Sequence, residues 1–236
     1  MFSRESLEYL IGLARNEMVE VNGQKYSTKR LNQVQDPIPA ELRTRTLTAL
    51  VDYLESEIDK KSSEKLLVHV IGPDKVALYS ELRKDAEREI YMICDALTPD
   101  NIYFDRFMDT EQFNIMLQSS FIENKDRLLL LKVTGCVKDS AVKEVGDDGV
   151  SQAATIKTGV ASVNEVKIPN PVVLAPFRTF PEIQQPESKF IFRMRSGPQA
   201  ALYEADGGAW RNQAMQSIKA YLQEELKEID NIKIIS

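Results

Sequence analysis

The stretch Lys65–Leu97, "KLLVHVIGPDKVALYSELRKDAEREIYMICDAL", decides the fold class of this chain. It contains three runs rich in β-branched and aromatic residues, and the short segments "GPD" and "RKDAE" separate them. Runs of this kind between turn-forming residues predict β-strands. Connections this short favour antiparallel neighbours, so the stretch predicts a meander. The only histidine, His69, shares a face of the first run with Leu67 and Ile71, which favours a structural role.

Helical periodicity marks other parts of the chain. Apolar residues recur at helical spacing in the segments "SRESLEYLIGLARNEM", "TLTALVDYLESEIDK", "MDTEQFNIMLQSSFIE" and "WRNQAMQSIKAYLQEELKEI". Ser3 and Asp109 are the predicted N-caps of the first and third segments. Ile58 is expected on the apolar face of the second. The run "NKDRLLLLKVTGCVK" fits either a helix end or a buried strand, and Asn22-Gly23 predicts a hairpin turn.

The order of these elements favours an α+β fold, because blocks of strands and helices replace strict βαβ alternation. The prediction is mainly antiparallel sheets with about four helices, including a long C-terminal helix. From Lys138 onward, extended pieces punctuated by glycine and proline replace the helical pattern. The predicted division is an N-terminal α+β part, 1–137, and a β-rich part, 138–236, that the C-terminal helix closes. A single continuous domain is the alternative.

Composition and charge disfavour several classes of function. The chain has 236 residues, a net charge of −6 and a pI of about 5.1, which opposes a whole-protein electrostatic grip on nucleic acid. Cys94 and Cys136 form no CxxC pair, and with one histidine they offer little transition-metal chemistry. No Walker-type loop, cationic leader or apolar run of about 18 residues is present. The sequence therefore predicts a cytoplasmic protein without a cofactor or a membrane span.

Two acidic, glycine-containing loops offer candidate metal ligands. "EVGDDGVSQ" carries Asp147 and Asp148, and "ALYEADGGAW" carries Glu204 and Asp206. Four converging carboxylates would suit Mg²⁺ or Ca²⁺. The spacing matches no EF-hand, however, and the Asp-Gly step that begins at Asp148 is a turn signal. A carboxylate at Asp206 suits the start of the last helix, where it accepts backbone N–H groups. Turns and a cap are therefore the favoured interpretation.

The string "ESKFIFRMR" carries the most cationic local surface in the second half of the chain. Strand alternation points its aromatic residues to one side and its cations to the other. The candidate partner-binding residues are Lys189, Arg193 and Arg195 of this string, together with the nearby Arg178. They suit a phosphate backbone or another acidic partner. The alternative is a solvated strand face over an aromatic core, or arginines paired with the chain's own acids.

The segment "PFRTFPEIQQPES" holds Pro176, Pro181 and Pro186 at five-residue intervals. Proline removes a ladder donor and forces extended, edge-like geometry. The segment is therefore expected either to cross to a neighbouring subunit or to form a long surface connection.

Four longer strings carry a family resemblance: "MDTEQFNIMLQSSFI", "GDDGVSQAATIKTGVA", "PNPVVLAPFRTFPEIQQPESKFIFRMR" and "ALYEADGGAWRNQAM". Together they resemble a bacteriophage and prophage protein family, mainly of Gram-positive hosts, that has no established activity. The resemblance covers most of the chain. It implies a phage-encoded, non-structural protein of the host cytoplasm, with a gene among early replication, recombination or counter-defence genes. It implies no catalytic residues, because the family offers none.

These observations favour a non-catalytic binding or assembly protein. Such a protein is expected to form a homo-oligomer and to bind a host or phage protein, without a cofactor. An alternative is a single-stranded nucleic-acid binding or annealing factor that uses the cationic string, although the acidic charge balance disfavours it. A second alternative is a metal-dependent hydrolase built on the acidic loops.

Overall fold

The computed structural model describes residues 3–14, 17–21, 24–27, 38–60, 64–83, 86–136, 146–147, 152–157, 163–195 and 197–236. Contacts divide the chain into two compact units, Met1–Ile38 and Pro39–Ser236. The first contains helix α1 (Arg4–Ala14) and a hairpin of β1 (Met18–Val21) and β2 (Gln24–Ser27). The predicted N-cap is confirmed, because Ser3 Oγ accepts the backbone N–H of Ser6 at 3.1 Å. Val21 pairs with Gln24, and the turn residues predicted between them lie outside the described residues.

The second unit contains three β-sheets and four of the described helices. In chain order its elements are β3 (Leu42–Thr44), α2 (Thr48–Ser56), β4 (Leu66–Gly72), β5 (Lys75–Tyr79), β6 (Ile90–Asp95), β7 (Met108–Asp109), α3 (Thr110–Ser120), α4 (Lys125–Cys136), β8 (Gly146–Asp147), β9 (Gln152–Lys157), β10 (Val163–Ile168), β11 (Val172–Leu174), β12 (Ser188–Arg195), β13 (Gln199–Glu204), α5 (Ala209–Glu225) and β14 (Ile232–Ile235).

The first sheet has the strand order β14-β4-β5-β6-β3. The predicted meander is confirmed, since β4, β5 and β6 pair antiparallel in sequence order. The outer strands differ: β14 is parallel to β4, and β3 is parallel to β6, so the sheet is mixed. One face is covered by α2 and α5, whose buried Leu50, Leu54, Ile218 and Leu222 share a core with Val68. These residues recur at the spacing of one helical stripe, which explains why both helices pack there.

The second sheet has the order β11-β12-β13-β7 and is antiparallel throughout. Alternation along β12 buries Phe190, Phe192 and Met194 in a second core with α3 and α4, as the sequence predicts. Helix α3 begins at the predicted cap, where Asp109 Oδ1 accepts the backbone N–H of Gln112 at 2.8 Å. The cap satisfies one of the donors that every helix start leaves unpaired.

The third sheet has the order β10-β9-β8 and is also antiparallel. The backbone of Asp147 pairs with that of Gln152, as expected for two strands of a hairpin. The predicted turn at Asp148 lies outside the described residues. Helix α4 contacts β9 and β10 of this sheet and β11 of the second.

Several details differ from the sequence-based expectation. The structure describes five helices where about four were predicted, because the run with two interpretations forms helix α4. The C-terminal helix, α5, has 17 residues and is of medium length. Ile58 is 74% exposed, since α2 ends at Ser56 and Glu57 adopts a left-handed conformation. The first sheet combines β14 with β3 to β6, and the second combines β7 with β11 to β13. None of the described helices is long and apolar enough to cross a bilayer.

The segment 175–187, which connects β11 to β12, lies between the two cores. Leu174 just before it belongs to the second core, whereas Phe180 and Ile183 belong to the core of the first sheet. Gln185 and Pro186 are also buried. The segment therefore packs into the chain's own interior, in contrast to the expected surface connection or crossing arm, because its aromatic and aliphatic residues supply apolar area to the first core.

Candidate functional site

One candidate residue, Arg178, lies in a buried polar cluster. The Arg178 cluster consists of Arg178, Ser188, Glu204, Asp206 and Trp210. Arg178 Nη1 donates to Glu204 Oε1 at 3.0 Å, and Nη2 donates to the hydroxyl of Ser188. That hydroxyl donates to Asp206 Oδ2 at 2.5 Å. The guanidinium lies over the indole of Trp210, with Cζ 3.8 Å from the ring centroid. The cluster therefore joins the segment 175–187 to the ends of β12, β13 and α5.

Burial and pairing set the protonation of this cluster. Burial lowers the pKa of Arg178 to about 10, although the charges of Glu204 and Asp206 act in the opposite direction. The pKa of Asp206 lies below its ordinary value. Burial acts to raise it, but hydrogen bonds from Ser188 and the Gly208 backbone, and the charge of Arg178, together outweigh burial. The cluster is therefore an ion pair near neutral pH, with its donors and acceptors directed into the fold.

Polar contacts fix the backbone around Arg178 as well. Gln185 Oε1 accepts the backbone N–H groups of Arg178 and Thr179, at 2.9 and 3.2 Å. Gln185 Nε2 donates to the carbonyl of Phe180 at 3.1 Å. The hydroxyl of Thr179 donates to the carbonyl of Pro73, in the turn between β4 and β5. These bonds satisfy backbone groups that a buried, irregular segment would otherwise leave unpaired.

Both acids of the second acidic loop, Glu204 and Asp206, therefore belong to the Arg178 cluster. Glu204 is ion-paired with Arg178, and Asp206 accepts hydrogen bonds from Ser188 and the backbone of Gly208. Asp148 and the side chain of Asp147 lie outside the described residues. Among the residues that the structure describes, no group of three or more His, Cys, Asp or Glu side chains is arranged to hold a metal ion.

The other three candidate cations, Lys189, Arg193 and Arg195, project from the outer side of β12, away from the second core. The fold separates them from Arg178 because Ser188, which faces the Arg178 cluster, and Lys189 are adjacent and therefore point to opposite sides of the strand. Arg193 is half-buried, and its Nη1 donates to the carbonyl of Phe192 at 3.3 Å. The predicted set of four cations is therefore divided between the interior and the surface.

Two aromatic rings lie beside this row of cations. Phe107 precedes β7, and Tyr203 is the neighbour of Ile191 across the β12–β13 ladder. The two rings meet edge to face, with centroids 6.4 Å apart and an interplanar angle of 73°. Arg195 Cζ lies 4.2 Å from the centroid of Phe107, and Arg195 Nε donates to Gln199 Oε1 at 2.7 Å.

A second arginine–aromatic pair precedes Phe107 in the chain. Arg106 Cζ lies 3.6 Å from the ring centroid of Tyr103, which is 41% exposed. The residues Lys189, Arg193, Arg195, Phe107 and Tyr203 are called the arginine–aromatic face below. Within the described ranges no carboxylate is ion-paired with Lys189 or Arg195. The face therefore presents cationic donors to a ligand, next to flat aromatic surface.

The aromatic members of this face were not among the predicted site residues. Tyr203 follows from the alternation that places it outward opposite Ile191, once the pairing of β12 with β13 is known. The string "YFDRF" around Arg106 holds three aromatic residues. Its irregular backbone gives no period from which their direction could be read.

The remaining candidate nucleophile and base have structural surroundings. Burial raises the pKa of the Cys94 thiol to about 12, and the charges of Asp95 and Glu182 add to the effect. His69 is half-buried, and its ring centroid lies 6.4 Å from that of Tyr79. The side chain of Cys136 lies outside the described residues. A thiol with a raised pKa holds little thiolate at neutral pH, which makes Cys94 a poor nucleophile.

Comparisons with protein-family models, curated proteins and solved structures found no match to this chain.

Proposed function

We propose that this chain is a non-catalytic binding protein that holds an anionic partner on its arginine–aromatic face and also self-associates. The observation that carries the proposal is the contrast between this face and the other reactive groups. Lys189 and Arg195 are exposed, and among the described residues no carboxylate is ion-paired with them. Arg178 and Glu204, by contrast, satisfy each other inside the fold.

The first experiment asks whether a protein with a net charge of −6 is retained on a polyanion. At an ionic strength of about 0.1 M the wild-type chain is expected to bind immobilised heparin, because acids more than about 10 Å from the face are then largely screened. The double variant Lys189→Gln/Arg195→Gln should pass through the column. The matched double variant Lys132→Gln/Arg45→Gln changes exposed cations outside this face and should be retained. Passage of the wild-type chain through the column contradicts the proposal.

Self-association is supported by the face of the first sheet that lies opposite α2 and α5. Leu67, His69 and Tyr79 on this face are half-buried, and Ile71 and Ile235 are 41% and 39% exposed. An exposed apolar surface of this kind is typical of an interaction site.

The rim of the same face carries both signs of charge. Asp95 lies 3.4 Å from Lys75 and 3.8 Å from Arg43. Mixed charge suits an isologous contact, in which one surface must complement itself. A second copy of the chain is therefore the proposed occupant.

Light scattering after size exclusion tests this part of the proposal. Ile71→Glu is expected to convert an oligomer into a monomer, because it places a charge within the apolar contact. Leu128→Glu changes a residue of similar exposure, 51%, on α4 and serves as the control. A wild-type chain that is monomeric at micromolar concentration, where specific interfaces are normally occupied, counts against self-association.

The biological setting of the proposal rests on the family resemblance. The strings that resemble the phage and prophage family support a phage-encoded protein that acts in the host cytoplasm early in infection. Replication, recombination and counter-defence all use non-catalytic binding proteins. The genes next to this one test that setting: recombination genes would favour a nucleic-acid partner, and defence-inhibitor genes would favour a protein partner.

A further inference from the structure

We infer that the partner of the arginine–aromatic face is single-stranded nucleic acid, an inference that rests on the binding function proposed above. A polymer that fits this face must offer repeated negative charges and flat apolar rings. An unpaired strand of DNA or RNA offers both, because its phosphates and base faces are accessible together. A duplex buries its base faces in the stack, and heparin has none.

The cations are spaced as a phosphate backbone requires. Residues two apart on a β-strand project from the same side, about 6.8 Å from each other. Arg193 and Arg195 are one such step apart, and Lys189 is two steps before Arg193. This repeat is comparable to the separation of successive phosphates along an extended single strand. The row on β12 can therefore contact neighbouring phosphates of one backbone without bending it.

The rings lie where the bases of such a strand would reach. Phe107 and Tyr203 are half-exposed beside the cation row, and the guanidinium of Arg195 is held against the Phe107 ring. Aromatic rings and guanidinium planes both stack on bases, and stacking tolerates any sequence because every base has a π-face.

The acidic balance of the whole chain does not cancel this local charge. At an ionic strength of 0.1 M, charges more than about 10 Å apart are largely screened from each other. Glu204, which follows Tyr203 in β13, is directed to Arg178 by their ion pair. The carboxylate that follows Tyr203 in β13 is thereby neutralised from within and does not oppose the cation row.

Fluorescence anisotropy with labelled oligo(dT) and oligo(U) tests the cation row. The logarithm of the affinity should fall linearly with the logarithm of the salt concentration, with a slope of about −1.4 if Lys189 and Arg195 both contact phosphates. Arg195→Gln should reduce the magnitude of that slope by about 0.7. Arg45→Gln, at an exposed arginine outside the face, should leave it unchanged. Equal binding of both oligomers indicates recognition of phosphate and base alone, whereas preference for oligo(U) indicates contact with the 2′-hydroxyl.

The ring variants separate a base-stacking face from a simple cationic one. Phe107→Leu retains apolar volume but removes the ring, and it should weaken oligo(dT) binding about tenfold. Tyr203→Leu provides a second test if Phe107→Leu lowers the melting temperature. If neither ring matters, or if duplex DNA competes as well as the single strand, the inference fails while polyanion binding stands. If neither heparin nor either oligomer binds, the proposed function fails with it.

Discussion

Arg178 and Arg195 are held against aromatic rings in nearly the same way, yet they lie in opposite environments. Arg178 lies 3.8 Å from the Trp210 centroid, is 8% exposed and forms an ion pair with Glu204. Arg195 lies 4.2 Å from the Phe107 centroid and is exposed, and its described hydrogen-bond partner is the neutral Gln199. The same contact thus secures the interior at one site and displays a cation at the other.

The difference shows that burial and pairing, more than residue type, decide what an arginine does. A guanidinium inside the fold must have its charge compensated, because an unpaired buried charge is costly. The charges of Glu204 and Asp206 supply that compensation, so both carboxylates are engaged inside the fold. A guanidinium at the surface remains hydrated, and its N–H donors stay accessible to a ligand. Variants of Arg178, Arg195 and their neighbours test this division between an interior and a surface arginine.

The largest effect is expected from Arg178→Leu, which leaves the carboxylate of Glu204 without its partner. Breaking a buried pair from one side should lower the free energy of unfolding by about 4 kcal/mol. Urea denaturation followed through Trp210, the only tryptophan, measures the loss. Adding Glu204→Gln should restore part of it, because the uncompensated charge is then removed. If Arg178→Leu lowers the free energy of unfolding no more than Arg195→Leu does, the division between the two arginines is wrong.

A slightly smaller loss is expected from Gln185→Leu. This side chain is 5% exposed and serves two backbone N–H groups and a carbonyl of the segment around Arg178. Leaving these groups unpaired should cost about 3 kcal/mol in the same urea experiment. Gln184→Leu, at the exposed position next to it, is the matched control and should change little. Equal effects of the two variants would show that the hydrogen bonds of Gln185 to the backbone do not stabilise the fold.

The sequence predicts the surface part of this comparison well. Period-two alternation in "ESKFIFRMR" correctly places the aromatic residues of β12 inside and the cations outside. Period-based reasoning works there because β12 is regular over eight residues. The cap at Asp109 and the meander from β4 to β6 are also predictable, because each depends on contacts between residues close in sequence.

The buried part could not be predicted, because it depends on contacts between distant, irregular segments. Arg178 lies in a proline-rich stretch without periodicity, and its ring partner Trp210 comes 32 residues later. The parallel pairing of β14 with β4 likewise joins segments that are far apart in the chain. A sequence shows that arginines and acids are plentiful, but which of them meet is decided by the packing of two cores around the segment 175–187.

A moderate and pH-dependent effect is expected from Asp206→Asn. The pKa of Asp206 is lowered in the folded state from its ordinary value of 3.8. The ionised carboxylate therefore contributes its full stabilisation when the pH is above that ordinary value. This contribution disappears as the pH falls through the lowered pKa. At neutral pH the variant should lose about 1 kcal/mol, because charged acceptors form stronger bonds than the amide. Below about pH 4 its stability should decline less steeply than that of the wild-type chain.

Urea midpoints measured from pH 7 to pH 2, near the lower end of carboxyl titration, test this dependence. Asp100→Asn, at an exposed turn position, should follow the wild-type curve. Parallel curves for Asp206→Asn and the wild-type chain would show that Asp206 is not coupled to Arg178, and the interior cluster would then be weaker than its geometry indicates.

The smallest effect on stability, and the sharpest test of the comparison, is expected from Arg195→Gln. An exposed cation–π contact contributes about 0.5 kcal/mol, so the urea midpoint should barely move. Retention on heparin should nevertheless weaken, because the cation row on β12 loses a member that carries its charge into solvent. A variant that is unchanged in stability and impaired in retention assigns Arg195 to binding. If Arg195→Gln instead destabilised the chain as much as Arg178→Leu, Arg195 would have a structural role. The proposal that this face binds a partner would then lose its main support.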